Sequence, residues 1–146
     1  MRRRFPLALA ALMPMLPLLG CASAAPETPS CRHQDAASER DIGYCQAVRV
    51  GHTLHVSGVV AAGPMDAAIR SAYTELKQVL QANGLGFANV VKETVFATDL
   101  DAFIRNKAIR KEFYAGTLPA ASWVQVQRLY LPSYVVEVEL TAEYPH

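Results

Sequence analysis

Tyr134-Val135-Val136-Glu137-Val138-Glu139-Leu140-Thr141-Ala142 alternates in side-chain character residue by residue. Val136, Val138, Leu140 and Ala142 form one apolar set. Val135, Glu137, Glu139 and Thr141 form the other. Successive side chains of an extended chain point to opposite faces, so the stretch predicts a strand with one face on a core and one mixed face. Glu137 and Glu139 share that mixed face, where they are either an acid/base pair or a solvated edge.

Working outward, Ser122–Leu129 reads as a neighbouring strand. Before it, Asp99 or Asp101 caps a helix through Phe103, Ala108, Ile109 and Phe113, which Gly116 and Pro119 end. Val90–Thr98 predicts a strand with Val91, Val95 and Ala97 on one side. Asp66 can cap a longer helix running to Asn83-Gly84, with Ile69, Ala72 or Tyr73, Leu76 and Val79-Leu80 as its apolar stripe. Gln46–Val50 and Thr53–Ser57 predict two strands joined at Gly51-His52. The order strand-strand-helix-strand-helix-strand-strand implies an α+β two-layer sandwich with both helices on one sheet face. The other face is expected to carry Glu137, Glu139 and Gln125 or Trp123, and such a face commonly meets a symmetry mate.

The chain has 146 residues, 51% apolar and 18% charged, with a net charge of +1. That is one domain's worth of sequence, with no repeats and no low-complexity tract. A charge near neutral, without a basic stripe, excludes nucleic acid as an expected partner. No Gly-rich phosphate loop, serine elbow or paired-cysteine zinc spacing occurs, so no cofactor or metal is expected. His52 and His55, three apart in a hairpin, would point to opposite faces and read as surface residues.

Residues 1–20 read as an address. Arg2, Arg3 and Arg4 precede an apolar run from Phe5 to Leu19, too short to span a bilayer and interrupted by Pro6, Pro14 and Pro17. Leu18-Leu19-Gly20-Cys21 resembles the lipobox of bacterial lipoproteins, in which the cysteine is lipidated. The competing reading is cleavage after Ala22-Ser23-Ala24, which gives a soluble periplasmic protein. The lipoprotein reading predicts export and attachment to the outer membrane by acyl chains on Cys21 alone. Residues 21–40 are then a tether and 41–146 the domain. Without Arg2–Arg4 the 14 basic residues fall to 11 against 13 acidic, a net charge of −2. Cys31 and Cys45 remain, either as a disulfide or as two free thiols.

Five blocks fall in order across residues 41–143: Tyr44-x-Gln46-Ala47-Val48 with Gly51 and Val56-Ser57-Gly58; Val90-Val91-Lys92; Asp99-Leu100-x-x-Phe103-x-x-Asn106; Pro119-Ala120-x-Ser122; and Val136-Glu137-Val138-Glu139. This pattern resembles the RidA (YjgF-like) family of reactive-intermediate deaminases. The resemblance implies a chorismate-mutase-like fold, a homotrimer and ligand clefts between subunits. It also implies that Tyr44, Ser57, Gly58, Asn106, Ser122 and Glu137 line the cleft, with Glu137 as the catalytic group that orients a hydrolytic water. The family's substrate-holding arginine lies in Pro-Ala-Arg-Ser; here the run is Pro119-Ala120-Ala121-Ser122, followed by Trp123, whose indole would narrow the cleft or give it an aromatic wall. A methyl group at Ala121 cannot grip a carboxylate, and Arg128, Arg105 and Arg70 are the candidates to replace the guanidinium. Three functions are therefore expected to compete. The first is a binder of a small metabolite, with 2-imino-acid deamination lost or altered. The second is an imine/enamine deaminase-type hydrolase of changed specificity. The third is a lipid-anchored structural or interaction trimer.

Overall fold

The computed structural model describes residues 28–145. The address segment, Cys21 and the Ala22-Ser23-Ala24 site lie outside the described residues. The elements in order are β1 (Ser30–Arg32), α1 (Ala36–Ile42), β2 (Ala47–Val50), β3 (Thr53–Ala62), α2 (Met65–Ala82), a 3-10 turn (Phe87–Asn89), β4 (Val90–Ala97), α3 (Leu100–Arg105), α4 (Lys107–Tyr114), β5 (Ala120–Gln125) and β6 (Tyr134–Glu143). They build one six-stranded sheet in the order β1-β2-β3-β6-β4-β5. All pairs are antiparallel except β4 with β5. Among the described residues no helix is long and apolar enough to cross a membrane.

The alternation of β6 translates directly into layers. Val136, Val138 and Ala142 are fully buried and Leu140 nearly so. They meet Ala68, Ile69, Ala72, Tyr73, Leu76 and Leu80 of α2, each with no exposed surface. Burying such an apolar stripe on the sheet, at about 25 cal/mol per Å², is what holds α2 in place. The α+β sandwich with its helices on one face is therefore the observed architecture.

Several boundaries differ from the sequence expectation. The folded domain begins at residue 30, inside the expected tether, because β1 pairs with β2 (Cys31 opposite Val48) and Asp35 caps α1 through the amides of Ala37 and Ser38. Helix α2 starts at Met65 behind Pro64, so Asp66 lies in its first turn instead of capping it. The second helix is two helices, broken at Asn106, whose side-chain Nδ2–H donates to Ala102 O at 2.9 Å. Strand β5 stops at Gln125, four residues before Leu129.

The register of β4 also shifts between Val90 and Lys92. Val90 is buried, Val91 is 46% exposed, and Glu93 joins Val95 and Ala97 on the core face. Trp123 sits opposite Val95, on the helix side, with its ring 5.1 Å from Phe103. Gln125 lies on that side as well, its Oε1 accepting Leu100 N–H at 3.2 Å. The open face carries Ser122 and Val124 in their stead.

Candidate functional site

The open face is laid out in rows across the sheet. One row runs Val60–Glu137–Phe96–Val124 and the next runs Glu139–Thr94–Ser122, because these residues are direct cross-strand partners. Beside Glu139 the pairing of β3 with β6 is irregular between Val56 and Val59, which sets Ser57 and Gly58 in a bulge. Bulges re-aim side chains and permit close approach. Here the Glu137 side chain lies directly over Gly58. A Cβ at that position would sit 2.7 Å from Glu137 Cδ and 2.8 Å from Cγ, so only glycine fits beneath the carboxyl as it stands. Burial, and then the charge of Glu139, push the Glu137 carboxyl above its ordinary value.

Ser57 closes the back of this bulge. Its hydroxyl donates to Cys45 O at 2.7 Å, its amide to Gln46 O at 2.9 Å, and Gln46 Nε2 donates to Ser57 O at 3.3 Å. Tyr44 immediately precedes this segment and is 38% exposed. Burial and the negative charge of Glu39 raise its phenol. Alongside Glu137, a groove on the open face is lined by Phe96, Val126, Arg128, Leu129 and Tyr130. Arg128 reaches it from the β5–β6 connection, where its Nε–H and Nη2–H donate to Leu129 O and Tyr130 O at 3.2 and 3.1 Å. Arg70 is instead paired with Glu112 across the helices at 3.1 Å, and Arg105 lies in the last turn of α3.

The structure thus brings Glu137, Gly58, Ser57 and the Tyr44–Gln46 segment together, with Arg128 in the adjoining groove. Ser122 shares the open face, where Lys92 Nζ donates to its Oγ at 2.6 Å. Ala121 and Trp123 fall on the opposite face, and Asn106 lies in the helical layer. Within one protomer they do not converge with Glu137.

Sequence reasoning missed the cluster beneath Ala121. Glu93, opposite Ala121 in register, is fully buried. It accepts Arg110 Nε–H at 2.7 Å, Tyr73 O–H at 2.8 Å, Tyr114 O–H at 2.6 Å and Trp123 Nε1–H at 3.1 Å. The guanidinium also lies over the rings of Tyr114 and Trp123, 4.9 and 5.3 Å from their centres. Burial, then the Glu93 charge, push both phenols well above their ordinary range, so both keep the proton they donate to Glu93. Trp123 is thereby committed to the core side and cannot wall a cleft on the open face. The one available signal was an acidic residue, Glu93, on the same side of the strand as Val95 and Ala97.

Cys31 and Cys45 are joined by a disulfide, with their Cα atoms 5.6 Å apart. Donor atoms of Cys31, Cys45 and His33 lie within 4.8 Å of one another. Both sulfurs are engaged in the S–S bond, which leaves His33 as the one good ligand of the three.

These features agree with what the chain is similar to. The endoribonuclease L-PSP family model matches residues 35–144. A Mus musculus protein named 2-iminobutanoate/2-iminopropanoate deaminase is 35% identical over 108 residues, covering 68% of this chain and 79% of its own. A RutC family protein of Synechocystis is 33% identical over 124 residues, 77% of this chain and 95% of its own. Among solved structures, Rv2704 of Mycobacterium tuberculosis, a YjgF/YER057c/UK114 family member, is 26% identical with a TM-score of 0.73 over 80% of this chain and 99% of that one. With the fold and three quarters of the sequence accounted for in this way, the chain belongs to the RidA (YjgF) family, also described as endoribonuclease L-PSP.

Proposed function

We propose that this chain binds a small metabolite in clefts between the subunits of a homotrimer, and that its 2-imino-acid deaminase activity is lost or altered. The observation that carries the reading is the split of the candidate site. The Glu137 carboxyl over Gly58 is in place on the open face. The position expected to grip a substrate carboxylate, Ala121, offers a methyl group above an already satisfied Glu93. Losing a bidentate guanidinium removes charge-assisted hydrogen bonds worth about 1.5–3 kcal/mol each. The test generates 2-iminobutanoate with an amino-acid oxidase and follows ammonia release. Wild type should accelerate it little over buffer, and Ala121→Arg should raise the rate. Wild-type acceleration as large as that of the mouse relative, unchanged by Ala121→Arg, would overturn the proposal.

Arg128 favours a second reading, a hydrolase of changed specificity. Its guanidinium lines the groove that contains Glu137, so an anionic substrate could be met from the β5–β6 connection. Activity abolished in both Glu137→Gln and Arg128→Ala would select this reading; activity unaffected by either would end it.

We also propose that the chain is exported and held at the outer membrane by acyl chains on Cys21. The support is Arg2–Arg4, the apolar run to Leu19 and Leu18-Leu19-Gly20-Cys21. Membrane fractionation of Cys21→Ser tests this: the variant should be released, and full retention would refute the anchor.

A further inference from the structure

A second concentration of reactive side chains lies where the N-terminal arm meets the sheet. His33 Nε2 is 3.3 Å from Cys31 Sγ, and His33 Nδ1 is 2.6 Å from Glu39 Oε2. Glu39 is 1% exposed, and its carboxylate also accepts the amides of Gln34, Asp35 and Gln46 at 2.7, 2.7 and 2.8 Å. Burial pushes that carboxyl up, but the hydrogen bonds from His33 and the three amides outweigh it and bring it down to about 2. An ionised carboxylate only accepts, so the network assigns the ring proton to Nδ1 and aims the Nε2 lone pair at sulfur. Cys31 is exposed and Cys45 partly so, which leaves the bond open to solvent. A covalent staple needs no oriented base beside it.

We propose that Cys31–Cys45 is an exchange-active disulfide whose co-reactants are dithiols, with His33 as the proton acceptor and Glu39 as the positioning residue. An incoming thiol gives its proton to His33 Nε2, and its sulfur bonds to Cys45 Sγ. The Cys31–Cys45 bond breaks, and its electron pair stays on Cys31 Sγ as a thiolate beside the imidazolium. The second thiol of the reductant attacks the reductant's own sulfur in the mixed disulfide, and its proton goes to Cys45 as that cysteine leaves. The proton held by His33 then passes to Cys31. Two electrons and two protons have moved from the dithiol, now a disulfide, to the two cysteines. A leaving thiolate paired with a cation is the better leaving group, which directs attack to Cys45.

The experiment treats the full chain with dithiothreitol at pH 7, traps thiols with N-ethylmaleimide over time and counts alkylated peptides by mass spectrometry. His33→Gln keeps an N–H for Glu39 but offers sulfur no base. It should melt within a degree or two of wild type and be reduced at least about tenfold more slowly. A second measurement does not depend on any variant. Limiting glutathione should leave the mixed disulfide on Cys45, with Cys31 alkylated. Reduction of a folded His33→Gln at the wild-type rate, or glutathione carried on Cys31, overturns the proposal.

Discussion

Replacing Arg110 by methionine isolates what holds the buried carboxylate of Glu93. The guanidinium is 6% exposed and 2.7 Å from a carboxylate with no exposed surface. Methionine of similar length fills the space but leaves the charge unpaired. Removing one partner of a buried pair costs about 3–5 kcal/mol. Tyr73, Tyr114 and Trp123 still donate to Glu93, and hydrogen bonds to a charged group are worth about 1.5–3 kcal/mol each. The expected loss therefore lies near the lower bound, about 3 kcal/mol, or roughly 10–15 °C in Tm for a domain this size. Trp123 is the chain's single tryptophan, packed on Phe103 and bonded to Glu93, so its fluorescence during urea unfolding reports the cluster itself. The second arm is Arg110→Met with Glu93→Gln. The amide removes the orphaned charge while its oxygen still accepts from the phenols, so this double variant should recover at least about 1 kcal/mol of the loss. A single-variant loss below about 1 kcal/mol, or a double variant no more stable than the single, would refute the ion-pair account.

Glu39→Gln should cost about 3 kcal/mol at pH 7, from a folded value of about 2 against the ordinary 4.5. A depressed carboxyl stabilises above its unfolded value and loses that contribution as pH falls. The gap between wild type and variant in urea unfolding should therefore shrink between pH 4.5 and 2, and a constant gap would contradict the carboxylate's role. Gly58→Ala forces the Glu137 carboxyl to swing toward water. Stability should change by less than about 1 kcal/mol, while the Glu137 titration, followed by carbon NMR, moves down toward its ordinary range; an unmoved titration would contradict the contact. Glu137 is raised by burial and by Glu139, so the stability linked to its bound proton is full below the ordinary carboxyl value and lost as pH rises. Glu137→Gln should thus melt higher than wild type at pH 7 and equal to it near pH 4; equal melting at both would count against this.

The sheet and its helical cover were legible because they rest on period. Val136, Val138, Leu140 and Ala142 alternate without interruption, and α2 carries its stripe from Ala68 to Leu80. Where a single residue breaks the period, the reading failed. The shift between Val90 and Lys92 turns Val91 outward and puts Val90 in the core, while Glu93 keeps the side of Val95 and Ala97. Trp123 was ambiguous for a related reason. Its partner Glu93 lies 30 residues away, and only the parallel register of β4 with β5 decides its side. The structure of residues 30–42 carries no periodic signal at all. It depends on the disulfide and on the amides gathered by Glu39, both long-range or backbone effects. Of the candidate site, Ser57, Gly58 and Glu137 were readable as neighbours through the resemblance, whereas Arg128 was one of three equivalent arginines until the groove distinguished it.

The three residues of β1 have a consequence beyond local stability. A sheet ordered β1-β2-β3-β6-β4-β5 has two free borders, and every unpaired backbone row is a template for another chain. On one border that template is blunted by the shortest strand among the described residues, fastened covalently to the residues just before β2. Breaking the fastening and peeling the arm away would uncover β2 from Ala47 to Arg49. The bond between Cys31 and Cys45 therefore acts as a selvedge: while it holds, one border ends in the three residues of β1, and β5 is the longer row left at an edge.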